Sequence, residues 1–329
     1  MRLFSRRSRR LSLFVTTATA ALLFFASLAA MSAIAKWGYG DHFQGRPSFW
    51  FVVAFAVELV AFSAYVFAYR SVAAVEGGPK LGLRETTELV AVGFGAFLAK
   101  GGAELDSDAL RRSGADKREG EVRVLALDAL EHAPLAPAAC VAAITLLAHG
   151  RHKPGLDFTI PWATLVPIGA VAAYIGVRHR RRFRGRRGWQ GKLGDVLEAL
   201  HVLFRLGLEW RRHWPAFAGA SLYWAGDVFC LWASLQPFHA APPFAAVVIA
   251  HAVGYVLTRR TLPFAGAGIV EVLMPLTLVA AGAPFAGAIL GVFTYRIFNL
   301  WLPLVPALIA LPRVRRRRGR PVQLLAHRT

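Results

Sequence analysis

A single carboxylate, Glu271, lies in an apolar segment that is rich in residues that interrupt helices. The segment reads LPFAGAGIVEVLMPL over residues 262–276, with Pro263 near its start and Gly266 and Gly268 just before the glutamate. Broken helices of this kind occur in membranes where they line a cavity, and the N-terminus of each helical piece attracts anions. We therefore predict a polar site at which Glu271 begins a new helical piece.

Arg296 is the natural partner of Glu271, because it lies in TYRIF on the next apolar segment. A charged side chain at the centre of a bilayer costs about 2.5–3.5 kcal/mol on insertion scales, so such groups face partners or water. We expect the two residues to pair. The pair either contributes to a binding site or only fixes the packing of two helices.

Other ionisable residues also fall in or near apolar segments. They are Glu58, Asp128, Glu131 and Asp227. Together with Glu271 and Arg296, these groups would cost roughly 15–20 kcal/mol if all were left in lipid, which exceeds the stability of a typical domain. We expect them to converge on one another or on a hydrated cavity, and we predict that Glu131 and Asp227 contribute to substrate binding.

The composition indicates a membrane protein. Of the 329 residues, 56% are hydrophobic and only 18% are charged, against roughly 25% charged residues in a soluble domain. Several apolar runs approach the ~20 residues that a membrane-spanning helix needs. The sequence predicts an all-α, polytopic transmembrane helical bundle that forms one domain over residues 1–329. Cys140 and Cys230 each lie in an apolar run, so we expect no disulfide framework, no metal and no cofactor.

The formal net charge of +20 comes from basic clusters at the ends of apolar runs. These clusters are residues 2–10, 70–84, 111–123, 178–192 and 313–320. In such positions arginines contact anionic lipid headgroups and set orientation, so membrane lipids are the expected partners and nucleic acid is not. The positive-inside rule places these clusters, and both termini, on the cytoplasmic side of the cell membrane.

About eight crossings follow from this orientation, in two halves at residues 11–177 and 216–311, before a basic tail at 313–329. The predicted spans are residues 11–35, 49–69, 125–148, 160–177, 216–235, 244–257, 262–281 and 285–311. The first span is longer than the about 7–15 apolar residues of a cleaved signal, so we expect it to be retained.

Two segments do not fit simple crossings. Residues 84–124 must begin and end on the same side, and they contain an apolar run too short to span. We predict a re-entrant hairpin, with a helix along the membrane surface as the alternative. Residues 193–212 have apolar positions at helical spacing and charges opposite them, which predicts an interfacial amphipathic helix. That helix is either a connector or a functional element.

A short internal similarity links the two halves of the chain. Gly102 and Glu104 in the sequence GGAE correspond to the glycines and Glu271 in GAGIVE. Paired glycine-interrupted segments in corresponding halves are typical of a transporter binding site at a repeat interface. We therefore predict a possible inverted repeat.

The motifs resemble the flippase-like transmembrane region of lysylphosphatidylglycerol synthases. The resemblance is carried by LPFAGAGIVEVLMPLTLVAAGAP with TYRIFNLWLP, and by GGAELDSDALRRSGA with RVLALDALEHAPLAP. It implies the site residues Pro263, Gly266, Gly268, Glu271, Arg296, Gly102 and Glu104. The chain departs from the family pattern after Glu104, where Leu105-Asp106-Ser107 replaces an early arginine, and at Glu131, where His132 replaces one. These departures affect the prediction of the substrate.

We expect the protein to be a flippase for a polar or anionic lipid. Arg296 and Arg260 would attract the phosphate, and Glu271 and Glu104 would carry protons. One alternative is a membrane-embedded transferase that acts on a lipid-linked substrate with an acidic general base. Another is an accessory subunit of a lipid-modifying complex, with an enzyme as its partner. No aminoacyltransferase domain follows the last span, so we do not expect the chain itself to be an enzyme that aminoacylates lipid.

Overall fold

The computed structural model describes residues 6–34, 49–75, 80–94, 103–112, 114–149, 155–183, 188–255 and 266–318. Over these residues the regular structure is helical and contains no β-strand, which confirms the predicted all-α class. The α-helices are α1 (Arg6–Ile34), α2 (Phe49–Ala73), α3 (Leu83–Gly93), α4 (Ala103–Arg112), α5 (Lys117–Ala148), α6 (Leu156–His179), α7 (Trp189–Leu208), α8 (Trp210–Leu235), α9 (Phe244–Tyr255), α10 (Val270–Ala280), α11 (Phe285–Arg296) and α12 (Leu304–Arg318).

Five described stretches are long and apolar enough to cross a membrane. They are Val15–Ala33, Phe49–Ala73, Arg118–Ala148, Leu156–Phe183 and Phe285–Arg316. The shorter helices α9 and α10 are also apolar, with 12 and 11 residues. These lengths and compositions confirm a multi-pass membrane protein, whereas the number of eight crossings stays a prediction.

The last predicted span, residues 285–311, is interrupted in the structure. Helix α11 ends at Arg296, a π-helical turn follows at Ile297–Trp301, and α12 begins at Leu304. Pro303 lacks a backbone donor and therefore cannot continue a regular α-helical hydrogen-bond ladder here. The interruption places a wider turn of backbone at the middle of the bundle, next to Arg296.

Helices α2 and α8 pack closely at positions where α8 carries glycine. A Cβ atom on Gly219 would lie 2.6 Å from the carbonyl oxygen of Ala64, and one on Gly226 would lie 2.9 Å from the Cβ atom of Ala61. Small residues allow such close contact between helices in membranes. This packing fixes the position of α2 relative to α8, and each of these helices supplies a carboxylate to the site described below.

Basic residues from several helices meet at one end of the bundle. Arg123 of α5 donates hydrogen bonds to the carbonyl oxygens of Val72, Ala73 and Val75 at the end of α2, at 3.3, 2.9 and 2.8 Å. Arg313 of α12 lies 3.6 Å from Glu88 of α3. We call this the arginine-rich end. Its assembly from separate clusters agrees with the positive-inside assignment, and its location in the cytoplasm stays a prediction.

Helices α3 and α4 both pack near α2. Helix α3 begins at the arginine-rich end, and Phe94 follows its last residue. The Phe94 ring lies 4.9 Å from the rings of Phe62 and Tyr65, deeper along α2. Helix α4 returns toward that end, since the Tyr69 hydroxyl donates to Asp106 at 3.0 Å. Val92 of α3 is fully buried. The re-entrant hairpin and its alternative, a helix along the membrane surface, both stay predictions.

The predicted amphipathic segment 193–212 is divided between two helices. Helix α7 ends at Leu208 and α8 begins at Trp210. The buried residues Leu197 and Leu206 show that one face of α7 packs against the bundle. The interfacial position of α7 in a membrane stays a prediction.

Candidate functional site

Five helices and the π-helical turn bring eight polar side chains together inside the bundle. We call these side chains the polar cluster: Glu58 (α2), Asp227 (α8), His251 and Tyr255 (α9), Glu271 (α10), Tyr295 and Arg296 (α11), and Asn299 of the π-helical turn. Each is at most 2% exposed. Four of the six ionisable residues that were expected to converge therefore lie together, whereas Asp128 and Glu131 of α5 lie outside the cluster.

The glycine-rich segment before Glu271 shapes the start of α10. Gly266 and Gly268 have φ angles of 70° and 92°, values that favour glycine because it has no Cβ atom. This left-handed backbone directs the N–H of Gly268 to Oε2 of Glu271 at 2.7 Å. Glu271 lies in the first turn of the helix, where the exposed amides and the helix dipole stabilise a carboxylate.

The other oxygen of Glu271 binds Arg296. Nε of Arg296 lies 2.6 Å from Oε1, and the two side chains are 1% and 0% exposed. The structure thus contains the ion pair that the sequence predicts. Both carboxylate oxygens of Glu271 therefore have partners, and its role as a proton carrier stays a prediction. Its role in substrate binding stays a prediction.

Arg296 also connects the ion pair to the rest of the polar cluster. Its Nη1 donates to the hydroxyl of Tyr255 at 3.2 Å and to Oδ1 of Asn299 at 3.4 Å. Buried guanidinium groups are tolerated when several of their donors have partners. Arg296 therefore joins α9, α10 and the π-helical turn at a single point.

Asn299 bridges two carboxylates that come from different helices. Its Nδ2 donates to Oε1 of Glu58 at 3.0 Å and to Oδ1 of Asp227 at 2.6 Å. Its Oδ1 accepts a hydrogen bond from Tyr255 at 2.5 Å. The π-helical turn that carries Asn299 is a feature found frequently at functional sites.

Asp227 has further partners on α9 and α11. The hydroxyl of Tyr295 lies 2.9 Å from Oδ1, and Nε2 of His251 lies 3.2 Å from Oδ2. The Tyr295 hydroxyl also contacts the Tyr255 hydroxyl at 2.8 Å. Hydrogen bonds therefore connect His251 to Arg296 through Asp227 and the two tyrosines.

Glu131 lies next to the polar cluster but outside it. Its Oε2 accepts from the hydroxyl of Tyr65 at 3.1 Å, and its backbone carbonyl accepts from the indole N–H of Trp224. The Trp224 ring lies 5.3 Å from that of His251 and thus between Glu131 and the cluster. Asp227 thus lies in the polar cluster and Glu131 lies beside it, and the predicted role of both residues in substrate binding stays a prediction.

The structure describes only some of the site residues that were predicted from the sequence. Pro263, Arg260, Gly102 and the side chain of Glu104 lie outside the described residues. Four further members of the cluster are neutral or weakly basic residues that the sequence analysis did not select. They are His251, Tyr255, Tyr295 and Asn299. A pattern in the sequence could have identified them. In otherwise apolar segments, His251 and Tyr255 are four residues apart, and so are Tyr295 and Asn299.

Comparison with known families covers most of the chain. The family model described as the lysylphosphatidylglycerol synthase transmembrane region matches residues 11–307. The matched range includes every member of the polar cluster and both segments that carry the resemblance seen in the sequence. No curated protein matches the chain.

Proposed function

The chain belongs to the lysylphosphatidylglycerol synthase transmembrane region family, and from this premise we propose that it moves a lipid with a polar or anionic headgroup across the membrane. The observation that supports the proposal best is the Arg296–Glu271 pair, which is fully buried at the junction of two interrupted helices. A guanidinium in that position is available to a phosphate group once its internal partner is released.

The helices that carry the Arg296–Glu271 pair are interrupted close to the pair. Gly266 and Gly268 break the chain before α10, and the π-helical turn Ile297–Trp301 breaks it after α11. Backbone interruptions at membrane depth are tolerated where they are buried in protein or line a cavity, and transporters use them to bind substrate.

We infer an exchange of partners on Arg296. Arginine binds phosphate with parallel N–H donors, as it binds a carboxylate. A lipid phosphate that reaches Arg296 would replace Glu271 at Nε, and Glu271 would retain the amide of Gly268. The glycines allow α10 to move during this step. The described conformation, in which the cluster is buried, is then the closed state between two open ones.

The arginine-rich end supports the recruitment of lipid from one leaflet. Cytoplasmic leaflets are rich in anionic lipids, and each basic residue near the surface adds about 1 kcal/mol to attraction. We propose that this end faces the cytoplasm of the cell membrane and that anionic headgroups collect there. We propose that a lipid-modifying enzyme supplies the lipid that is moved.

A reconstitution experiment tests the proposal. The purified full chain is placed in phosphatidylcholine vesicles that contain fluorescent phosphatidylglycerol, and a membrane-impermeant reagent bleaches the probe in the outer leaflet. Wild-type protein should expose probe from the inner leaflet. R296A should slow this by about tenfold or more, the effect of losing about 1.4 kcal/mol of binding.

Control variants make the result specific. R118A removes an arginine whose partner Asp195 lies near the surface, and it should move lipid at the wild-type rate. The double variant E271Q/R296Q leaves no unpaired charge, so it should fold but remain slow. Wild-type rates in both R296A and E271Q/R296Q would overturn the proposed function. Formation of a new lipid product by the chain alone would favour the transferase.

A further inference from the structure

Helix α1 lies against the start of α10, beside the Arg296–Glu271 pair. It packs against both α10 and α11. A Cβ atom placed on Gly268 would lie 3.8 Å from the Cβ atom of Leu23 on α1. Gly268 donates its amide to Glu271, so α1 contacts the interruption that holds the carboxylate. A lipid that reaches Arg296 from this side of the bundle must therefore first pass α1.

The contact of α1 extends from α10 to α11 and to the π-helical turn. The Phe24 ring of α1 lies 4.8 Å from the ring of Phe293 on α11 and 5.6 Å from the ring of Trp301 in the turn. Met31, further along α1, packs in the same apolar cluster and is only 2% exposed. Helix α1 thus lies over both of the helix interruptions that flank the ion pair.

The packing of α1 is of a kind that a membrane allows to separate. Its other side carries exposed apolar residues, with Leu22 at 68% and Phe25 at 62%. Helices in a bilayer have no hydrophobic driving force for association, because lipid tails are as apolar as their side chains. Helix α1 can therefore exchange protein contacts for lipid contacts at little cost. The contact at Gly268 is also an ordinary van der Waals separation, whereas a Cβ atom on Gly219 between α2 and α8 would lie 2.6 Å from a backbone oxygen.

Trp301 adds a polar group to this apolar contact. Its indole N–H is buried and has no hydrogen-bond partner among the described residues. A buried donor without a partner is unfavourable, so a group that accepts its hydrogen bond would be bound there. Phospholipids carry such acceptors in their phosphate and ester oxygens, next to acyl chains that suit the Phe24 ring. This observation is independent of the ion pair.

We propose that the contact between α1 and the junction of α10, α11 and the π-helical turn is a lipid-entry site, which opens when α1 moves aside. This inference rests on the proposed function, because it assigns the route by which lipid reaches Arg296. The indole N–H of Trp301 donates to a phosphate or ester oxygen of the entering phospholipid. The acyl chains stay in the bilayer beside Leu23 and Phe24, and the phosphate passes on to Arg296.

A reversible crosslink tests whether α1 must move. L23C/G268C in a C140A background joins two Cβ positions that are 3.8 Å apart, within the range of about 3.5–4.5 Å that a disulfide requires. Cys230 is fully buried and is left in place. In vesicles, the oxidised protein should move fluorescent phosphatidylglycerol about tenfold or more slowly than the same protein after reduction. The comparison of one protein in two redox states cancels the strain of a side chain at Gly268, where φ is 92°.

Distances between spin labels test the movement of α1 without any lipid transport. L22C/L165C in the C140A background places labels on exposed positions of α1 and α6. In maltoside detergent, stepwise addition of phosphatidylglycerol should add a second distance to the distribution. W301F should reduce this second population, because the lipid loses a donor. The matched control W189F changes an exposed tryptophan of α7 and should leave the population unchanged.

The outcomes distinguish the entry site from the proposed function. A second distance with no lipid movement by any form, wild type included, would show that α1 opens and would overturn the proposed function. Equal rates in the reduced protein and in the fully crosslinked protein would overturn the entry site, as would a single distance that phosphatidylglycerol does not change. If reduced L23C/G268C is itself inactive, the spin-label distances decide. Equal losses of the second distance in W301F and W189F would overturn the role of Trp301.

Discussion

The Nε atom of Arg296 lies 2.6 Å from Oε1 of Glu271, and neither side chain reaches solvent. Helix α10 supplies the carboxylate and α11 the guanidinium, and a glycine amide binds the second carboxylate oxygen. Removing one member of such a pair leaves the other as a buried charge without a counterion. The stability of this part of the bundle therefore depends on keeping both members or on replacing both.

R296A should lower the free energy of unfolding by about 3–5 kcal/mol, because it leaves Glu271 buried and unpaired. E271Q/R296Q should cost less than R296A, since both charges are removed together. Chemical denaturation in detergent, with all variants compared at one lipid-to-detergent ratio, measures the difference. A loss in E271Q/R296Q that equals the sum of the losses in the single variants E271Q and R296Q would show that the pair is not coupled energetically.

G219A should destabilise the contact between α2 and α8. The added Cβ atom would lie 2.6 Å from the Ala64 carbonyl oxygen and 2.9 Å from the Ala68 amide nitrogen, so the two backbones must separate. Overpacking of this kind costs about 1–3 kcal/mol. The thermal unfolding temperature of the purified chain is the measurement.

Gly169 of α6 provides the matched control. Nothing lies within 4 Å of a Cβ atom placed there, so G169A should be neutral, or stabilising by up to about 1 kcal/mol because alanine is the better helix former. A similar loss of stability in G169A and G219A would mean that the α2–α8 contact is not responsible.

The sequence predicts the class of the fold and the central ion pair for clear physical reasons. Charges in apolar segments must find partners, and Glu271 and Arg296 are brought close by the short connection between α10 and α11. The break before α10 is visible as Gly266 and Gly268, whose left-handed backbone only glycine adopts readily.

The bridging role of Asn299 could not be predicted in the same way. It depends on the π-helical turn, and no local pattern in IFNLW distinguishes that turn from an ordinary helix. The contact of Asn299 with Glu58 joins residues that are 241 positions apart. Such a contact follows from the packing of α2 against α8, which the sequence alone leaves open.

R123A should lower the free energy of unfolding by removing contacts at the arginine-rich end. The Arg123 guanidinium donates to three carbonyl oxygens at the end of α2 and also binds Glu119. These carbonyls lie at the C-terminal end of α2, and leaving buried acceptors unsatisfied costs about 1–3 kcal/mol. We expect a loss of that size by denaturant unfolding. R118A, which removes a more exposed ion pair, should change stability by only about 0–1 kcal/mol, and a larger loss in R118A than in R123A would contradict the assignment.

N299D should make the stability of the protein depend on pH. The substitution adds a carboxyl group beside Glu58 and Asp227 and removes the Nδ2 donor that they share. Burial among like charges keeps the new group protonated in the folded state, whereas it ionises in the unfolded chain above its ordinary range. The folded state then binds more protons than the unfolded state, so stability relative to wild type falls as pH rises. Thermal unfolding from pH 5 to pH 8 should show a difference in stability between N299D and wild type that widens with pH by up to about 1.4 kcal/mol per pH unit.

N299L is the control variant. It removes the same donor without adding an acid, so it separates the loss of the bridge from the gain of a carboxyl group. If the stability of N299D changes with pH in the same way as that of N299L, the added carboxyl group does not lie buried in the polar cluster.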